Sequence, residues 1–204
     1  MLGYNLIGRK MKNKKTINDI ILFILIALFF ASNILIRQVN NLDELWNYNF
    51  ASNISNGLIP YKDFNMVVTP LLSIIGGIFL SIFGKELIVI RILNILLNTG
   101  VIFMMYKIMT ELKIKDYISL ILLMLLIYLY KEYAMFDYNF AVSLVSLVIV
   151  YLEIKNQQNN KLSYQIFIRS FSRDMYNIKT NNRINNYYSF ISLQINRCKK
   201  CARI

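Results

Sequence analysis

Three features of this sequence predict an all-α, multi-pass membrane protein. Its mean hydropathy is +0.45, several uncharged apolar runs approach bilayer length, and lysines and arginines gather in short tracts beside those runs. A chain of 204 residues that is 56% hydrophobic is too apolar for a water-soluble domain. The formal charge of +12 raises nucleic acid as a partner, but a nucleic-acid surface needs its cations clustered on one wet face. Here the cations flank apolar runs, so no nucleic acid is expected. Histidine is absent, which removes imidazole acid–base catalysis and His-ligated zinc and leaves proton transfer to carboxylates. Cys198 and Cys201 form a C-x-x-C in the extreme tail without the surrounding pattern of a redox fold, and a chance pair is the simpler reading.

Taken in order, Arg9, Lys10, Lys12, Lys14 and Lys15 make residues 1–18 a basic N-terminal segment, and the uncharged run Ile20 to Ile36 is the first span. The basic flank places the N-terminus in the cytoplasm and the first loop, 37–86, outside. Met66 to Phe83 is apolar but holds Pro70, Gly76 and Gly77. If it crossed, the loop carrying Lys107, Lys113 and Lys115 would fall outside, against the charge rule, so it is expected to lie along the outer interface. Leu87 to Met105 then crosses inward, Tyr117 to Tyr130 returns, and Phe140 to Leu152 crosses again and delivers Lys155 and Lys161 inside. That gives about four spans in a membrane domain covering 19–161.

Residues 162–204 form a basic polar tail, and from Arg169 onward no apolar run could span and no helical or strand period is sustained. One expectation is a solvated cytoplasmic tail. The other is translation out of frame: back-translating Arg169 to Phe190 with A/T-leaning codons and reading one nucleotide later can give EVLAGICIISKQTTGLIIIIAL, which has the look of a further membrane helix. On that expectation the chain is the N-terminal part of a larger protein, or is completed by a second polypeptide.

The stretch Asp43 to Pro70 carries the candidate chemistry. It is a long polar and aromatic segment between apolar runs, with Asp43, Glu44, Asp63 and both prolines of the chain. Adjacent carboxylates there can act as a general base, bind a divalent cation, or cap a helix over Leu45 to Ser55 with Asp43 at the N-cap and Glu44 in the first turn. Gly57 reads as that helix's C-cap and Pro60 as the exit from it. Asn53-Ile54-Ser55 fits a glycosylation acceptor, a pattern too short to weigh. Arg91 near the outer end of its span can meet a lipid phosphate or snorkel to the headgroups. Tyr61, Tyr133 and Tyr138 fit interfacial belt aromatics as well as sugar platforms.

The order of these features resembles the polytopic glycosyltransferases that use polyprenyl-phosphate sugars, with the GT-C fold, such as the protein O-mannosyltransferases and the aminoarabinose transferases of lipid A. The resemblance covers about residues 15–160 and rests on Asp43, Glu44, Gly57, Pro60, Tyr61, Asp63, Phe64, Pro70, Leu71, Phe83, Gly84 and Arg91. It implies that Asp43 acts near an acceptor hydroxyl, with Glu44 beside it and Asp137 as a second acidic position. Inversion follows at the sugar carbon, with lipid phosphate leaving. It implies Tyr61, Asp63 and Arg91 as substrate-binding residues, a polyprenyl-phosphate sugar and membrane lipid as partners, and, if a divalent cation is used, Asp43 and Asp137 as its ligands. Some relatives carry Lys before the juxtamembrane Pro, whereas Val68 and Thr69 stand there in this chain. The rival expectation is a non-catalytic membrane scaffold, an accessory protein or a transporter fragment.

Overall fold

The computed structural model describes residues 2–39, 42–66, 68–131, 134–159 and 162–178. Tyr133, Cys198 and Cys201, and the expected tail beyond Ile178, lie outside the described residues. Among those described the chain is all-helical: α1 Leu2–Ile34, α2 Leu42–Ser55, α3 Leu71–Phe83, α4 Leu87–Glu111, α5 Asp116–Tyr130, α6 Tyr138–Asn159 and α7 Leu162–Ile178. Among the described residues three helical segments are long and apolar enough to cross a membrane: Thr16–Ile34 within α1, then α4 and α6. This is an all-α membrane protein.

The expected first span is part of a longer helix, because α1 continues back through the basic segment to Leu2. The expected interfacial run is the 13-residue helix α3, which at 1.5 Å per residue reaches only about 20 Å. Tyr117 to Tyr130 becomes α5, whose 15 residues cover about 22 Å, less than the ~30 Å hydrocarbon core. The tail also differs from expectation at its start, since α7 is helical to Ile178 and packs on α6.

α4 is the hub. It packs against α1, α3, α5 and α6, and half of its apolar length is buried inside the bundle. One core cluster joins Ile26, Phe30 and Ile34 of α1 to Ile95, Ile102 and Met109 of α4 and Leu123 of α5. A second joins Ala51 of α2 and Leu72 and Leu80 of α3 to Ile90 of α4 and Phe136. α2 and α3 form a hairpin whose close approach depends on Gly76 and Gly77. A Cβ at Gly77 would stand 2.9 Å from the Ile54 side chain and 3.1 Å from the Ala51 carbonyl oxygen.

Candidate functional site

The site builds from helix termini. α1 ends at Ile34 and α2 begins at Leu42, so the negative end of one helix dipole and the positive end of the next meet over a short connection. Glu44 lies in the first turn of α2 and points inward, 1% exposed, although it is a carboxylate. Its partner is Arg91, one turn into α4 and 8% exposed: Nε donates to Oε1 at 2.9 Å and Nη2 to Oε2 at 3.4 Å. The third guanidinium nitrogen, Nη1, donates to the Arg37 carbonyl at 2.8 Å and the Leu35 carbonyl at 3.5 Å. Those carbonyls belong to the turn just past α1, where backbone acceptors lack helical donors. Arg91 therefore ties three elements together. Glu44 offsets its charge, the carboxylate stands at the N-terminal end of α2, and the guanidinium meets the carbonyls past the C-terminal end of α1.

Arg37 extends the network. Its Nη2 stands 4.0 Å from Glu44 Oε2 and donates to the Ala134 carbonyl at 3.3 Å, and its side chain is 28% exposed. The same buried Ala134 carbonyl accepts from Asn94 Nδ2 at 3.3 Å. Asn98 Nδ2 in turn donates to the Asn94 carbonyl at 3.0 Å and to Asn94 Oδ1 at 2.6 Å. Arg91, Asn94 and Asn98 recur at i, i+3 and i+7, so one face of α4 is a buried polar ladder inside an apolar helix. Sequence reasoning singled out Arg91 and missed Arg37, Asn94 and Asn98. For Asn94 and Asn98 the available signal was that helical spacing within a span, where polar residues face the bundle interior, whereas Arg37 lies in the connection past α1 and had no such signal.

The remaining expected site residues fall into two groups. Asp43 shares the first turn of α2 with Glu44 and is exposed, and its carbonyl accepts from Asn47 Nδ2 at 2.9 Å. The helix starts at Leu42, ahead of the expected Leu45, so Asp43 sits inside the first turn and not at the N-cap. Asp137 is half-buried just before α6, and its carbonyl accepts from Phe140 N at 3.2 Å, opening that helix. One of its carboxylate oxygens accepts from Asn139 Nδ2 at 2.6 Å. It lies three residues beyond Ala134, at the same end of the bundle as Glu44 and Arg91.

Tyr61 and Asp63 instead shape the loop between α2 and α3. Gly57, at φ +85, ends α2, with its N–H on the Ile54 carbonyl at 2.9 Å and the Leu58 N–H on the Asn53 carbonyl at 3.1 Å. These two bonds make the Schellman arrangement expected of Gly57. Asp63 Oδ2 accepts from Ile59 N at 2.8 Å, and the Tyr61 hydroxyl donates to the Val68 carbonyl at 2.7 Å. Tyr61 holds φ +65, an uncommon conformation for a bulky residue, fixed by its N–H on the Phe64 carbonyl at 2.9 Å. Both side chains are exposed yet committed to backbone partners. Among the described residues no group of three or more His, Cys, Asp or Glu could hold a metal ion, so Asp43 and Asp137 have no third protein ligand of those types.

The chain was compared with protein-family models, with curated proteins and with solved structures, and none matches it.

Proposed function

We propose that this chain is a glycosyltransferase of the polyprenyl-phosphate-sugar type, acting at the outer face of the cell membrane with its N-terminus in the cytoplasm. The observation that carries the reading is the buried Glu44–Arg91 pair, 2.9 Å between Nε and Oε1. The sequence pattern picks out an Asp-Glu motif and an Arg in a later span, 47 residues apart, and the fold joins them. Holding Glu44 inward fixes the rotation of α2 and leaves Asp43, one residue away, turned to the exposed side of the same turn.

In this reading Asp43 takes the proton of an acceptor hydroxyl as its oxygen bonds the sugar's anomeric carbon. The bond from that carbon to the lipid phosphate oxygen breaks, and the phosphate leaves with the electron pair. Arg91 is a positioning residue, because its donors are spent on Glu44 and two carbonyls. Arg37, the more exposed guanidinium of the two, is then the cation beside the leaving phosphate. Asp137, held by Asn139, stands at the same end as a second carboxylate.

A second reading, a non-catalytic membrane scaffold, is favoured by the fact that Glu44, Arg91, Tyr61 and Asp63 all satisfy partners within the chain. The two separate on Asp43→Asn, measured by transfer of a labelled sugar from its lipid phosphate in membranes. Transfer by the parent chain that the variant loses, while it still inserts, supports the enzyme. Equal transfer in parent and variant removes Asp43 from the mechanism, and no transfer by the parent supports the scaffold.

A further inference from the structure

Charge is divided unequally between the two ends of the bundle. Lys107 pairs with Asp19 and Lys155 with Glu111, which brings α1, α4 and α6 together at the Glu111 end, and Leu22 and Leu120 line one groove, which brings the start of α5 there too. Among the described residues up to Asn159, that end carries nine Lys and Arg against four Asp and Glu, whereas the Leu87 end carries five of each. With all four acids paired, five cations still have no acid to offset them.

Five of the nine, Arg9, Lys10, Lys12, Lys14 and Lys15, lie in α1 ahead of Thr16, where its apolar segment starts. Because the helix is continuous, at about 1.5 Å per residue all five stand within roughly 11 Å of that segment along the axis, close to the ~8 Å Debye length at physiological salt. An extended chain would carry Arg9 about 23 Å away. Two more, Lys113 and Lys115, are exposed in the turn between α4 and α5. Lys113 holds φ +57, a left-handed conformation that glycine adopts at less cost, fixed by its N–H on the Thr110 carbonyl and the Ile114 N–H on the Met109 carbonyl, each at 3.1 Å. Its ammonium has no partner among the described residues, and that of Lys115 has only the Tyr117 ring, 6.0 Å to the centroid.

We propose that the Glu111 end is a docking collar for the headgroups of anionic glycerophospholipids in the leaflet it borders. Charge complementarity supplies the attraction, since a cluster of about four to eight cations immediately beside a span gathers acidic lipids. The turn itself favours lipid over a soluble polyanion. Leu112 and Tyr117 flank its two lysines, 57% and 58% exposed, and exposed apolar and aromatic side chains beside ammonium groups suit the boundary between hydrocarbon and headgroups. The Leu87 end, with its charges balanced, presents no such field. The proposal rests on membrane embedding and not on the transfer chemistry.

The test is mass-spectrometric measurement of the lipid that stays with the full chain when it is purified from bilayers of equimolar phosphatidylglycerol and phosphatidylcholine with matched acyl chains. One lysine near the surface is worth about five-fold, so the parent chain should favour phosphatidylglycerol by about five-fold or more at low salt and lose most of that preference in about 1 M salt. Lys113→Gln combined with Lys115→Gln, and separately Lys12→Gln combined with Lys14→Gln, should each lower the ratio several-fold in a chain that still folds. Lys62→Gln, in the exposed loop at the other end, should leave it unchanged. Equal retention of both lipids by the parent chain, an unchanged ratio in either double variant, an equal fall in Lys62→Gln, or displacement of phosphatidylglycerol by equimolar RNA or polyglutamate would each overturn it.

Discussion

At its Leu87 end α4 holds its neighbours through Arg91 and Asn94, both buried, which reach Glu44 and the carbonyls of Leu35, Arg37 and Ala134, while the buried Asn98 bonds back to Asn94 within the helix. At its Glu111 end it holds them through two ion pairs, Lys107 to Asp19 of α1 and Lys155 to Glu111 across to α6, each at 2.7 Å. The four side chains of those pairs are 14% to 25% exposed, against 2% for Glu44 and 9% for Arg91. The distances are similar, but the surroundings decide the energetics. A partly wet pair gains little, because water screens it and compensates either partner when the other is lost. A desolvated pair contributes little relative to an apolar replacement, yet removing one partner strands a buried charge. The first end is therefore intolerant of single changes, and the second is a set of staples.

The largest expected effect follows directly. Glu44→Ala or Arg91→Ala should destabilise by about 3–5 kcal/mol, seen as loss of the folded chain on heating in detergent or nanodiscs. Replacing both partners with apolar residues should recover much of that loss, because no orphan charge then remains. Next comes Gly77→Leu, in the α2–α3 hairpin at the same end. Its side chain meets the Ala51 carbonyl, backbone that cannot turn aside, and overpacking of this kind costs about 1–3 kcal/mol. Smaller still is Lys107→Ala at the far end, about 0.2–1 kcal/mol and weaker in high salt. Last comes Asp43→Asn, which removes an exposed carboxylate from the first turn of α2 at about 0.3–1 kcal/mol, so a complete loss of sugar transfer in a variant that still folds and inserts belongs to chemistry. A ranking in which the Lys107 end exceeds the Arg91 end would reverse the contrast.

Much of the site's framework was legible from local signals. Glu44 lies in the first turn of α2 as expected, although the helix starts early enough to take in Asp43 as well, Gly57 ends the helix as its expected C-cap, and the apolar run after Pro70 is a short separate helix. These depend on neighbours in sequence, where capping and turn chemistry act. The Glu44–Arg91 pair was not legible, because which buried cation meets which carboxylate depends on packing between helices far apart in the chain. For Arg91 the sequence offered lipid phosphate or headgroup snorkelling, and the fold offers it a carboxylate and two helix-end carbonyls. α7 had a readable signal that basic composition obscured: Tyr164, Phe167, Ile168, Phe171, Met175 and Ile178 recur at i, i+3, i+4, i+7, i+11 and i+14. α1 reaches Leu2 because a helix, once nucleated, propagates through lysine, arginine and asparagine at small cost per residue.

The contrast between the two ends of α4 is tested most directly by a pair of double-mutant cycles on the full chain in nanodiscs, one for Glu44 with Arg91 and one for Asp19 with Lys107. Thermal unfolding is read in each single and double variant. The buried pair is predicted to show a coupling of about 2 kcal/mol or more, and the partly exposed pair about 1 kcal/mol or less. Equal couplings, or the larger one at Asp19 and Lys107, would contradict the account, because Glu44 and Arg91 would then not form the clamp that orients α2 and presents Asp43.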